Sequence, residues 1–273
     1  MEADFRTDYA RRMAAVSGSA DPRLEEAFAT VPREAFLGPG PWTIIAGNRK
    51  VTTPDADPAH IYQNVLVALD TERNNGEPAL HAEWLAQVAP QPGETAVHIG
   101  AGSGYYTALL ARLVLPGGAV TAFELDADLA ARACRNLDPY ANVTVIAGDA
   151  VCADLPESDI IYVNAGVAAP PARWLGALRP GGRLVFPWRP SRKVALAMIA
   201  TRTSQGFTCR AFIGCWFIAC VGASQPAGSA KLPTPGGARR TRSIWLLADR
   251  APDDSTTAII GDVWFSSETI DGA

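Results

Sequence analysis

The glycines at 100, 102 and 104, in "VHIGAGSGYY", alternate with small residues between an apolar run and a helical-looking one. Alternating glycines at such a junction let the backbone turn sharply and lie against a ligand with no side chain between. A carboxylate, Glu124, closes the next apolar run about twenty residues on, where it can accept both hydroxyl protons of a ribose. The dinucleotide fingerprint Gly-x-Gly-x-x-Gly is not matched, because the third glycine comes one residue early and Tyr105 holds the place of the last one. NAD and S-adenosylmethionine both carry a ribose diol, so Glu124 alone does not separate them.

A second string stands ahead of this loop. In "RNNGEPALHAEW", Asn74-Asn75-Gly76 is turn-forming and runs through Glu77 and Pro78 into a helical segment. If the 100–104 string holds a cofactor, Asn74, Asn75, Gly76 and Glu77 lie where an acceptor sits. The two amides can donate hydrogen bonds, and Glu77 can take a proton or cap the helix that begins near Pro78. Asp70, His60 and His81 are the other groups nearby able to act as a base, although His81, on the helix, reads better as packing or capping.

The elements that position these residues follow from patterning. Residues 4–16 and 22–30 read as short amphipathic helices, the second with Asp21 as cap and Pro22 in its first turn. Residues 41–77 are rich in Pro, Asp and Asn and read as irregular, a lid or acceptor wall more mobile than the sheet. Pro78 to Ala89 has helical spacing. From Thr95 the rhythm alternates: "TAVHIG", "AVTAFEL", "NVTVIAG", "DIIYVNAG" and "RLVFPW" as strands, with "GYYTALLARLV", "DADLAARACRNL" and "PPARWLGAL" as helices. Buried strands alternating with helices predict a Rossmann-like doubly wound α/β fold. "KVALAMIATR" and "TCRAFIGCWFIACV" follow with no helix between them, so this last pair is expected to be antiparallel. The result is a mostly parallel seven-stranded sheet. Residues 224–242 read as a mobile loop, and "SIWLLAD" and "IIGDVWF" as edge strands. The expected organisation is an N-terminal helical and lid segment at 1–92, a core at 93–223, and a linker with an extension at 224–273.

Composition narrows the class. A chain of 273 residues, 48% hydrophobic and 19% charged, can bury a full core. Its net charge of −4 disfavours a nucleic-acid or membrane-surface binder. The charged start, "MEADFRTDYARRM", lacks the apolar centre of a secretory signal, so a cytoplasmic protein is expected. Five cysteines without Cys-x-x-Cys spacing and three scattered histidines predict neither a metal site nor a disulfide framework.

The motifs "VHIGAGSGYY", "FELDADLAARACRNL", "VIAGDA", "DIIYVNAG" and "LRPGGRLVFP" stand in the order and spacing of class I S-adenosylmethionine-dependent methyltransferases. With "TVPREAF" near the N-terminus and "GEP" before the helix, the chain more narrowly resembles the protein-L-isoaspartate O-methyltransferase family, over about residues 22–220. The resemblance implies that Ile99, Gly100, Ala101, Gly102, Ser103 and Gly104 line the methionine part of S-adenosylmethionine. It implies that Glu124 accepts the ribose hydroxyls and that Leu125 flanks the adenine. Asp149 would accept from the adenine amino group, with Ala150 beside it; the alternative for Asp149 is a turn aspartate after a strand.

The chain departs from the family at the acceptor loop. The family carries a Thr-Ile-Ser-Gln-Pro-like string there, and its serine hydroxyl helps hold the acceptor carboxylate. Aligned on Pro78, Gly76 stands at the serine and Glu77 at the glutamine. A hydroxyl donor is lost and an anion gained, which weakens carboxylate binding if Glu77 points inward. Three readings follow: an O-methyltransferase acting on a peptide or small-molecule acceptor, a natural-product or modified-peptide methyltransferase with another acceptor, and a cofactor-binding partner subunit without turnover. In the first, Gly76→Ser with Glu77→Gln is expected to raise isoaspartyl activity. The glycine spacing disfavours a nicotinamide enzyme.

Overall fold

The computed structural model describes residues 5–47, 49–225 and 228–270. The N-terminal part supplies α1 (Phe5–Ser17), α2 (Pro22–Thr30), β1 (Thr43–Ala46), β2 (Arg49–Thr52), β3 (Leu66–Val67) and α3 (Pro78–Val88). Strands and helices then alternate through β4 (Thr95–Ile99), α4 (Tyr105–Leu113), β5 (Ala119–Glu124), α5 (Ala127–Leu137), β6 (Val143–Ala147), β7 (Ser158–Val163) and α6 (Ala172–Ala177). The chain ends with β8 (Leu178–Ser191), β9 (Val194–Arg202), β10 (Phe207–Gly214), α7 (Pro235–Arg240), β11 (Ser243–Leu246), β12 (Thr256–Ile260) and β13 (Val263–Ser266). Asp4, the first residue of the expected first helix, lies outside the described residues.

The chain forms two compact units, Met1–Glu94 with Ala101–Gly148, and Thr95–Gly100 with Asp149–Ala273. In the first, β5 and β6 pair in parallel, and a small antiparallel sheet runs β2-β1-β3. Apolar side chains of α1 and α2, among them Tyr9, Leu24 and Phe28, are buried. Asp21 caps α2 by accepting from the Arg23 amide at 2.9 Å, and Asp126 caps α5 by accepting from Leu129 at 2.9 Å.

In the second unit the strands run β12-β13-β11-β10-β9-β8-β7-β4. The β4/β7 and β7/β8 pairs are parallel; β8/β9 and β9/β10 are antiparallel. This is the α/β architecture that the alternation predicts, and all seven runs expected in the main sheet are strands, β4 to β10. The two later runs also form strands, and β11, β12 and β13 lengthen the antiparallel side. The Asp159 carboxylate ties the start of β4 to β7 by accepting from the Thr95 amide at 2.8 Å and from Arg179 at 2.9 Å.

Three expectations are corrected. Residues 41–77 are not irregular throughout: they hold β1 to β3, whose shortness and exposed β2 leave no alternation to read. The expected loop at 224–242 contains α7, capped by Thr234, which accepts from Gly237 at 3.0 Å; residues 226 and 227 of that stretch lie outside the described residues. The run "TCRAFIGCWFIACV" is a strand only to Gly214, and beyond it Trp216 and Val221 are 64% and 63% exposed. Apolar content alone does not tell a strand from an exposed apolar loop.

Candidate cofactor and acceptor site

The glycine loop takes its shape from backbone geometry that other residues resist. Gly102 and Gly104 have φ of +58° and +99°, in the left-handed region that glycine enters without penalty. A Cβ on Gly104 would stand 2.8 Å from Leu137 Cδ1, so the helix that follows also requires a glycine there. At Gly102 the nearest group a Cβ would meet is Leu69, at 3.8 Å, which leaves that face of the loop open to a ligand. The Ala101 amide donates to the Phe123 carbonyl at 3.0 Å and fastens the loop to β5.

Glu124 closes β5 and is 9% exposed. Its Oε2 accepts from the Gly102 amide at 2.7 Å and its Oε1 from the Asp126 amide at 3.1 Å. One lone pair on each oxygen is thus used, and one on each remains for a hydroxyl donor. The next side chain, Leu125, is 49% exposed, as an apolar flank for a flat ring needs to be. These residues therefore fit a ribose and its base.

The loop at 73–77 meets the glycine loop through Asn75 and the cap of α5 through Arg73. Asn75 is buried, and its Nδ2 lies 3.4 Å from Ser103 Oγ. Arg73, at the loop's start, bridges Asp70 and Asp126 at 2.7 Å each, and Asp126 is the cap of α5. Burial raises the Asp70 carboxyl, but amides at 72 and 73 and the Arg73 guanidinium more than offset this and hold it below its usual range. Asn74 accepts from the Gly76 amide at 2.9 Å through its side chain, which forms the turn. Two hydrogen bonds, Asn75 to Ser103 and Gly102 to Glu124, thus hold the sequence-predicted residues Asn75 and Glu124 to adjacent residues of the glycine loop within this unit.

Glu77 holds the N-cap position of α3 without capping it. Asn64, distant in sequence, caps instead: its Oδ1 accepts from the Ala79 amide at 2.8 Å, and its Nδ2 donates to Glu77 Oε1 at 2.6 Å. Gly76 has φ +75°, and a Cβ on it would lie 2.6 Å from His81 Nε2 and 3.0 Å from Tyr106 Cε2. The His81 and Tyr106 rings stack at 3.5 Å between centroids and fill the space that a side chain at 76 would take. His81 is therefore a packing residue, and the serine that sequence comparison would restore at 76 has no room.

Sequence reading missed Arg33, which is fully buried. Its guanidinium donates to the carbonyls of Ile61, Gln63 (3.1 Å) and Val65 (2.7 Å), and its Nε lies 3.4 Å from Asn75 Oδ1. One cation thus pins the segment at 61–65 and supports Asn75 in the 73–77 loop. Its only sequence signal is its place in "TVPREAF".

In the second unit Ile99 ends β4, its carbonyl accepting from the Asn164 amide at 2.8 Å, and Gly100 follows with φ +78°. Asp149 turns the chain, its Oδ1 accepting from the Val151 amide at 2.8 Å. Ala150 is buried, and its carbonyl accepts from Trp174 Nε1 at 2.9 Å.

The family model for protein-L-isoaspartate(D-aspartate) O-methyltransferase matches residues 13–225. A protein-L-isoaspartate O-methyltransferase of Aeropyrum pernix is 34% identical over 171 residues, covering 60% of this chain and 59% of its own length. Protein-L-isoaspartate O-methyltransferase 2 of Rhodopseudomonas palustris is 32% identical over 209 residues, covering 74% of this chain and 86% of its own. A solved protein-L-isoaspartate O-methyltransferase superposes with TM-score 0.67 at 20% identity, over 94% of this chain and 86% of that one. A Plasmodium falciparum candidate of the same kind, solved with S-adenosyl-L-homocysteine, gives TM-score 0.63 at 17% identity, over 79% of this chain and 97% of that one. With that match spanning most of its length, and an S-adenosylmethionine-dependent methyltransferase fold around the glycine loop, the chain belongs to the protein-L-isoaspartate(D-aspartate) O-methyltransferase family.

Proposed function

We propose that this protein transfers the methyl group of S-adenosylmethionine to the side-chain carboxylate of an isoaspartyl residue in a peptide or protein. The observation that carries the reading is Glu124, held 2.7 Å from the Gly102 amide at the end of β5, with carboxylate lone pairs left for a ribose. Ile99, Gly100, Ala101, Gly102, Ser103 and Gly104 would receive the methionine part, and Glu124 the ribose hydroxyls. Leu125, Asp149 and Ala150 would receive the adenine. Asn74, Asn75, Gly76 and Glu77 form the acceptor wall, within an N-terminal acceptor side at 1–92 that precedes a cofactor core at 93–223; residues 224–273 are an extension. A cytoplasmic location is part of the same reading, and no described helix is long and apolar enough to cross a membrane.

When bound, the cofactor supplies a sulfonium methyl: an O–CH3 bond forms as the C–S pair returns to sulfur. The protein's own work is alignment and exclusion of water, because a carboxylate acceptor is already ionised near neutral pH and needs no base. Asn75, by joining Ser103 to Arg33, holds the acceptor wall in register with the glycine loop. Glu77 is turned to Asn64, so its charge is engaged beside the helix start and is not a base in waiting.

The test is binding of S-adenosylmethionine by calorimetry, followed by labelled methyl transfer to an isoaspartyl peptide. Binding with turnover is expected. Failure to bind overturns the cofactor reading. Binding without transfer overturns the acceptor and favours a partner subunit without turnover.

A further inference from the structure

Four tyrosines are buried near Arg33 in the first unit, and their hydroxyls differ: that of Tyr62 accepts from the Arg33 amide at 3.0 Å. Tyr9 and Tyr105 share a hydrogen bond at 3.3 Å. The Tyr106 hydroxyl, on a residue 3% exposed, has no hydrogen-bond partner among the described residues. A buried hydroxyl without a partner is costly, and native structures seldom keep one without a use. Nothing about the ring itself demands the oxygen: the stack on His81 and the edge contact with Tyr105 at 5.1 Å need only an aromatic face.

The place of that ring is informative. Tyr106 Cε2 would lie 3.0 Å from a Cβ on Gly76, so the ring lies directly beneath the acceptor loop. Gly76 is bare because His81 and Tyr106 occupy its side-chain space, and the loop therefore offers no side-chain hydroxyl of its own. We propose that the Tyr106 hydroxyl contacts the substrate, donating a hydrogen bond to the acceptor carboxylate oxygen that does not receive the methyl group. The loop's missing hydroxyl is thereby supplied from α4 beneath it. Burial, and the nearby Glu77 and Tyr9, hold the phenol well above its ordinary pKa, while Arg33 pulls the other way; the group stays protonated and can donate. This inference rests on the proposed isoaspartyl function and names a contact within it.

Tyr106→Phe removes the oxygen and leaves the stack. In the full chain, calorimetry with S-adenosylmethionine, thermal melting and labelled transfer to an isoaspartyl peptide are measured for both proteins. The expected result is a fall of roughly ten- to a hundredfold in kcat/KM, mainly through peptide KM, as for one lost hydrogen bond to a charged group. Cofactor affinity is expected to stay within about twofold, and the melting temperature to hold or rise because no internal bond is lost. Unchanged kcat/KM, or a lowered melting temperature with unchanged peptide KM, overturns the inference and leaves the methyltransferase reading intact. A wild-type protein that binds S-adenosylmethionine but does not methylate the peptide overturns the inference together with the carboxylate acceptor. One that fails to bind S-adenosylmethionine overturns the cofactor reading on which both rest.

Discussion

Glu124 has two tasks, one in the free protein and one towards a bound cofactor. Its carboxylate holds the Gly102 amide in the free protein and keeps acceptor capacity for two hydroxyls. Glu124→Ala is expected to weaken S-adenosylmethionine binding by about 2–3 kcal/mol, and Glu124→Gln by less, because the amide oxygen still accepts one bond. Equal affinity of wild type and Glu124→Ala in calorimetry would remove the residue from the site. Gly76 gives the opposite kind of prediction. Gly76→Ser places a side chain at φ +75° and 2.6 Å from His81 Nε2, so it is expected to cost about 1–3 kcal/mol in urea unfolding. His81→Ala in the same chain should return only part of that, since the backbone strain remains. A serine tolerated without loss would mean that the loop rearranges readily.

At the scale of elements, the wall ahead of α3 is held by few groups, each serving several backbone positions. Arg33 satisfies carbonyls at 61, 63 and 65, and Asn64 caps α3 from outside it. Arg33→Met leaves those carbonyls and Asn75 without their donor, and is expected to destabilise the protein by about 3 kcal/mol or more. Hydrogen exchange should report the same hierarchy. Amides at 61–67 and 75 should exchange slowly in wild type and fast in Arg33→Met, while β2, exposed along its length, exchanges fast in both. Uniform exchange across residues 41–77 would contradict this division of the wall. Asn64→Ala, which removes the cap of α3, should cost about 1 kcal/mol.

For the whole molecule, acid is the sharpest probe. Burial lowers the His98 imidazole to about 3, against 6.5 for the free group. The unfolded chain therefore binds a proton that the folded chain refuses. His98 favours folding fully above pH 6.5, and that contribution falls as the pH drops from 6.5 towards 3, by about 3 kcal/mol at pH 4. A second loss begins below the ordinary aspartate range. Asp21 is held low by its hydrogen bond from the Arg23 guanidinium. Burial raises Asp159, but the Thr95 and Arg179 partners more than offset this and hold it below its usual range. Depressed carboxylates favour folding above the unfolded pKa and lose that contribution as pH falls through the folded one. Urea midpoints measured from pH 7.5 to 4 should fall steadily in wild type and stay nearly flat in His98→Gln above pH 5. Parallel slopes for the two proteins would place the linkage elsewhere.

Sequence alone determined what is local. The seven runs of the main sheet, the Asp21 cap, the glycine loop and Glu124 at the end of β5 were legible because periodicity, capping and left-handed turns are properties of neighbouring residues. The short β1 to β3 and α7 were not, since two to six residues among prolines leave no period to detect. Tertiary structure decided how the 73–77 loop is held. Arg33 reaches Asn75 across 42 positions and Asn75 reaches Ser103 across 28, and no spacing rule announces either contact. Reading Gly76 in place of a serine followed from the family resemblance, and residue types left Glu77 as either a base or a helix cap. Packing set His81 and Tyr106 in the side-chain space of 76 and turned Glu77 to Asn64, because which side chains share a volume depends on how distant elements stack.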